Sequence, residues 1–196
     1  MSTPSARPEL SGLALGDPPA AWEALGFALD GDQLSVGPIH VQLGAAGDGI
    51  VGWSLPEVDG LPTVAFGAPP SAPASHPNGA VGIDHVVVAT PDFDRTAAAL
   101  EAAGMPLRRV VRRPDGARMG FRRLGPAILE LVEATDAPSP HFWGLVVVVE
   151  DLDALARRLG DLLGPIKPAV QPGRRIATLR ESAGVGQPVA FMDPEP

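Results

Sequence analysis

Apolar and polar positions divide this chain into short strand-like runs separated by glycine and proline. Residues 82–89 read GIDHVVVA, a β-branched run that predicts a strand. Thr90 is then placed to cap a helix entered through Pro91, with Phe93, Ala97 and Leu100 at helical spacing and Gly104 as its C-cap. Further strands are predicted at Leu107–Arg112, at Ala117–Leu124 beyond a PDG turn, and at Pro126–Glu133. The predicted order is one strand, one helix and three strands.

The same order returns at the C-terminal end. Residues 144–149 (GLVVVV) predict a strand, and Asp151 caps a helix with Leu152, Leu155, Leu159 and Leu162 on one face. Strand candidates follow at Ile166–Val170, Arg175–Arg180 and Pro188–Asp193, and aligning Asp92 on Asp151 superposes the two units. A degenerate copy opens the chain: strand Leu10–Leu15, Asp17 as helix cap, and helix Pro19–Leu25. Its VGPIHVQL (Val36–Leu43) mirrors LGPAILEL (Leu124–Leu131), and a strand at Ile50–Leu55 ends it. This internal repetition predicts an α+β fold of tandem βαβββ units. The expected division is a βαβββ-like unit over 8–66, a Pro-rich linker over 67–81 (Pro69, Pro70, Pro73, Pro77), and a domain over 82–194 made of units 82–135 and 140–194.

Composition changes this picture in three places. The chain has 196 residues, 45% of them hydrophobic, so it can bury a real core. Without cysteine there are no disulfides, thiolate ligands or cysteine nucleophiles. No apolar run is long enough to cross a bilayer and the start carries no apolar leader, so a soluble cytoplasmic protein without membrane contact is expected. The net charge of −8 is uneven: residues 1–94 hold eleven acidic residues against Arg7 alone. Seven arginines crowd positions 108–123. They read as the polar face of a strand pair, as a dock for the acidic first half, or as an anion site. The acidic whole argues against nucleic acid.

The paired units, with DHVVVA…DFD at one end and GPAILELVE at the other, resemble the glyoxalase/bleomycin-resistance/dioxygenase (vicinal oxygen chelate) superfamily. That resemblance implies a cupped mixed sheet with helices outside, and one divalent metal ion held by a ligand on the first strand and a glutamate on the last strand of each unit. His85 and Glu130 match two of the four positions, whereas counting from Asp151 and Pro188 gives Gly144 and Met192, and the first unit offers Gln42. Two protein ligands hold a metal weakly. By strand alternation His85 shares a face with Val87 and Ala89, and Glu130 with Ile128 and Val132.

His85 and Glu130 are therefore the expected catalytic pair, or alternatively a hydrogen-bonded cup histidine and a carboxylate with an arginine partner. Trp143, Arg122 and Arg175 are expected to bind ligand: the indole as a pocket wall, Arg122 beside Glu130, and Arg175 with Arg174 as a carboxylate clamp. His40 would join only if the first unit shared the cup, and His76 reads as a loop residue. The expected function is binding of a small oxygenated organic molecule, with metal-assisted isomerase, lyase or dioxygenase chemistry. The alternative is non-catalytic sequestration of the bleomycin-resistance type, and a scaffold role for the acidic first unit is a third reading. An unpaired first unit would either pad the outside of the cup or form a homodimer.

Overall fold

The computed structural model describes residues 7–67 and 75–196. Of the expected linker, Pro69, Pro70 and Pro73 lie outside the described residues.

The chain folds into two mixed sheets. The larger has eight strands in the order β10-β11-β12-β9-β5-β8-β7-β6. One half is β5 (Ala80–Thr90), helix α2 (Phe93–Ala102), β6 (Arg109–Arg112), β7 (Arg118–Leu124) and β8 (Ala127–Glu133). The other is β9 (His141–Val149), α3 (Leu152–Leu159), β10 (Lys167–Pro168), β11 (Arg175–Thr178) and β12 (Val189–Met192). Each half is a βαβββ unit whose first strand runs parallel to its last, and the halves join where β5 pairs antiparallel with β9. Asp92, not Thr90, caps α2, with its carboxylate accepting from the Arg95 amide at 3.1 Å. Thr90 instead bonds the Thr96 hydroxyl. Asp151 caps α3 in the same way, through the Ala154 amide at 2.8 Å.

One face of the large sheet carries the core. Val86, Val88, Leu129, Leu131, Leu145 and Val147 are buried there together with Phe93 and Leu100 of α2 and Leu152, Leu155 and Leu159 of α3. The opposite, cupped face carries His85, Val87 and Ala89, as alternation requires.

The first unit departs from the repeat. It has β1 (Gly12–Leu15), α1 (Pro19–Ala24), β2 (Gln33–Val36), β3 (Ile39–Gln42) and β4 (Ile50–Trp53), in the sheet order β2-β3-β1-β4. Here β3 runs parallel to β1, as β8 does to β5, but β4 lies antiparallel on the far side of β1. That place corresponds to the one β9 takes beside β5, so the unit fills this edge of β1 with its own strand. The outer edge of β4 is covered in turn by residues 61–64: the Trp53 amide donates to the Pro62 carbonyl and the Val64 amide to the Trp53 carbonyl. On β2, the Ser35 carbonyl is met by His76 Nε2 at 2.8 Å, while His76 Nδ1 accepts from the Ala28 amide. The edge of β4 is thus covered from within the chain.

The small sheet packs on the helix-covered side of the large one. Leu13, Leu15 and Val41 belong to the same apolar core as Val86 and Leu145, Phe27 stacks on Phe191, and Trp53 meets Phe142 edge-on. Asp17 does not cap α1. Buried in this interface, it accepts from the Trp22 indole, the Gly186 amide and Gln187 Nε2. His40 is buried against Phe66, away from the cup, and burial lowers its pKa.

The arginines of 108–123 are not a dock for the first half. Arg118 binds Glu133 and Asp94, and Arg113 binds Asp115. Among the described ion pairs, the one that reaches residues 7–67 is that of Arg95 on α2 with Asp59. Among the described residues no helix is long and apolar enough to cross a membrane.

Candidate functional site: a cupped cleft with a buried polar chain

The cupped face encloses a cleft of about 510 Å³. Its walls are mainly apolar, with Val87, Met119, Val132, Val146, Ile176 and Ala190 among them. Two polar side chains, His85 from β5 and Glu130 from β8, stand on its floor. They come from neighbouring parallel strands, where Val87 is the register partner of Glu130, and His85 Nε2 lies 3.3 Å from Glu130 Oε2. Both side chains are mostly buried, with 12% and 14% of their surface exposed, so water screens the contact little.

Asp84 extends this pair. In a regular strand, Asp84 and His85 would point to opposite faces. A register shift between Ile83 and His85 makes Asp84 an extra residue in β5, and this bulge lets its carboxylate reach His85 Nδ1 at 2.8 Å. The other carboxylate oxygen accepts from Arg174 Nη1 at 2.6 Å, and Arg174 Nε donates to the Asp193 carbonyl at 2.7 Å. A buried chain of charge therefore runs Arg174–Asp84–His85–Glu130, linking the loop before β11 to the floor of the cleft.

Burial pushes the Glu130 carboxyl up, and nearby Asp84 adds to the rise, against a smaller opposing pull from His85 and Arg113. Asp84 goes the other way. Burial alone would raise it, but the hydrogen bonds and charges of His85 and Arg174 outweigh that and hold it below the ordinary aspartate range. Asp84 is thus held as a carboxylate against His85 Nδ1, while Glu130 is the more basic of the two carboxyl groups and faces the cleft.

A second bulge serves the rim. The register of β5 on β9 slips between Val87 and Val88, which pair with Gly144 and Phe142, so the intervening Trp143 is turned out. Its indole lines the cleft with half of its surface exposed, while Phe142 enters the core. Arg113 and Asp115, in the turn between β6 and β7, stand on another part of the rim.

The two expected arginine contacts do not form. Arg122 lies on the helix side of β7 with Gly120, whose added Cβ would meet Phe93 and Leu107, and it does not line the cleft. Arg175 is turned from the cup as well, pairing with Asp193 and with Asp153 of α3, because its neighbours Ile176 and Thr178 take the cup side. Alternation along β11 could have foretold this; the bulges that aim Asp84 and Trp143 leave no comparable mark in sequence.

The remaining metal positions offer no donors. The pairs His85–Val146 and Val87–Gly144 are equivalent across the join of the two units, so Gly144 takes the place of His85. Val87 pairs with Glu130 and Val146 with Ala190, so the counterpart of Glu130 is Ala190, not Met192. A Cβ on Gly144 would stand 2.4 Å from the Pro188 carbonyl oxygen, which leaves no room there for a ligating side chain. Among the described residues no three His, Asp or Glu side chains are grouped to hold a metal ion, and both nitrogens of His85 already face carboxylates. This donor set does not fit a divalent metal.

No family model matches the sequence, and no curated protein matches it. Solved structures do match the fold. Methylmalonyl-CoA epimerase from Mycobacterium tuberculosis superposes with a TM-score of 0.51 at 24% identity, covering 60% of this chain and 91% of that one. The fold is that of the vicinal oxygen chelate superfamily. A hypothetical protein from Bacillus halodurans (TM-score 0.48, 16% identity, 58% of this chain and 94% of that one) is also similar. So is Streptomyces coelicolor methylmalonyl-CoA epimerase in complex with 2-nitronate-propionyl-CoA (0.47, 21%, 58% and 97%). In this domain the cup of that fold is present, while the positions equivalent to His85 and Glu130 in the other unit carry Gly144 and Ala190.

Proposed function

We propose that the cup binds a small oxygenated organic molecule and that Glu130 moves a proton to and from a carbon beside its carbonyl, an isomerase-type reaction. The observation that carries this reading is the close approach of His85 Nε2 to the Glu130 carboxylate on the floor of an apolar cleft. A carboxylate whose proton affinity is raised by burial is suited to take a proton from carbon. His85 Nε2, turned toward Glu130 by Asp84 on Nδ1, is placed to accept and return the proton that Glu130 takes from carbon. Return of the proton by Glu130 completes the exchange without any net change in charge. Apolar walls and Trp143 favour a ligand with a small hydrocarbon or planar portion, held by shape around one polar centre.

The apolar lining and the side-chain-poor Gly144 and Ala190 favour a second reading, in which the cup sequesters a small molecule without chemistry. One experiment separates the two. The protein is incubated in D2O with a panel of small carbonyl compounds that bear an α-hydrogen, including 2-oxo acids and a methylmalonyl thioester, and α-proton loss is followed by NMR. Accelerated exchange that falls about 100-fold in Glu130→Gln supports proton transfer. Thermal stabilisation by a compound without exchange supports sequestration. If the whole panel produces neither, the cup is not the site.

A further inference from the structure

We propose that Arg174, carried by the last unit, is a positioning residue that sets the ring orientation and tautomer of His85 in the preceding unit, acting through Asp84. The proposal rests on the reading of the cup as the site and names the parts that hold its polar centre in place.

Arg174 has only 4% of its side chain exposed, although burying a guanidinium is costly unless it is paired and hydrogen-bonded. Its Nη1 pairs with Asp84 and its Nε with the Asp193 carbonyl, while Nη2 is buried without a hydrogen-bond partner, and Asp84 belongs to a strand of the other unit. On the other side, Asp84 reaches His85 only because of the bulge in β5, a local departure from regular pairing at the one place where it brings a carboxylate to the imidazole. The two oxygens of Asp84 are divided, one to Arg174 and one to His85 Nδ1. An ionised carboxylate only accepts hydrogen bonds, so the proton on Nδ1 is fixed and Nε2 is the nitrogen left for Glu130 and the ligand. A buried carboxylate does the same for the imidazole of a Ser-His-Asp triad. Here the carboxylate's own charge is balanced by an arginine ninety positions along the chain.

This also says what the last unit gives the polar centre. Gly144 and Ala190 bring no functional group to it; Arg174 brings a fixed positive charge from behind. Besides Glu130, the charged groups lining the cleft are Arg113, Asp115, Glu133 and Asp136. Arg113 is paired to Asp115, and Glu133 to Arg118, so none of those three competes for His85.

The test uses the full chain without ligand, labelled with 15N-histidine, at one neutral pH. Long-range proton–nitrogen correlation spectra separate the Nδ1–H from the Nε2–H tautomer. The wild type is expected to show His85 with a protected Nδ1–H. Asp84→Asn and Arg174→Gln should each mix the tautomers and speed solvent exchange of that proton about tenfold, while Arg174→Lys, which keeps the charge, should stay near wild type. His76, held by Ala28 and Ser35, gives an internal fold signal in the same spectra. If Nδ1–H is unchanged in both Asp84→Asn and Arg174→Gln while the His76 signal is intact, the proposal is overturned. Loss of the His76 signal in all three variants would assign Arg174 to stability alone, and would overturn it too. Because no ligand is present, a positive result stands even if the carbon-acid panel fails, and that failure would then count against the proposed function only.

Discussion

Glu130 shows how a single position carries a cost that a purely structural residue would not. Its carboxyl is raised by burial, so its contribution to stability is present below the ordinary glutamate value and lost as pH rises through its raised value. Glutamine keeps the shape without the charge. Glu130→Gln should therefore melt close to wild type near about pH 4. At pH 8 it should melt higher, by about 2–4 °C for ~1 kcal/mol in a chain of this size. Melting curves at the two pH values check this, and an equal difference at both would remove the charge as the cause. Asp84, Glu133 and Asp193 are shifted down, so their contributions are lost as pH falls through those lowered values, in both proteins alike. The pair on the cleft floor was legible from alternation, because His85 and Glu130 each fall on the polar-inward phase of their strands. Asp84 was not, because a bulge inverts the phase for one residue and nothing in GIDHV announces it.

Strand β9 and its neighbour β12 explain why the second half cannot supply a histidine. Backbone approaches backbone where the Gly144 Cα faces the Pro188 carbonyl, and the Leu145 amide donates to that same carbonyl at 3.1 Å. Any side chain must push β12 away. Gly144→Ala is expected to cost about 1–3 kcal/mol, read from urea denaturation of the purified protein; a neutral result would mean that β12 yields easily and that a ligand could be engineered there. The helices followed their sequence pattern closely, since caps and leucine spacing are local signals. Thr90 and Asp17 are the exceptions among the caps. Asp92 stands nearer the first amides of α2 than Thr90 does, and the carboxylate of Asp17 is taken by donors from distant loops. Strand β10 is only Lys167–Pro168, shorter than its apolar run suggested, because proline ends its ladder.

Across the whole molecule, the first unit serves as the outer wall of the cup. The continuous core through Phe27–Phe191 and Trp53–Phe142 implies one cooperative unfolding transition. Tryptophan emission, dominated in its buried part by Trp22 and Trp53, should lose signal at the same urea concentration as far-UV circular dichroism. An earlier tryptophan transition would make the unit independent. Asp17 fastens this wall to the loop before β12, and Asp17→Ala would leave three donors, two of them buried, without their acceptor. The expected loss is about 3 kcal/mol or more, within that same single transition.

The chain's own order of apolar runs, caps and glycines determined the two βαβββ units and the cup between them, because these follow from local periodicity and short connections. It also determined that His85 and Glu130 share the inward phase. Tertiary structure alone decided the rest: that β4 closes the first sheet, that two bulges bring Asp84 to the imidazole and Trp143 to the rim, that Arg122 and Arg175 face away, and that Arg174 stands behind Asp84. Each of these depends on pairing register between segments far apart in sequence. A shift of one residue there exchanges the two faces of a strand while leaving its composition and its pattern unchanged.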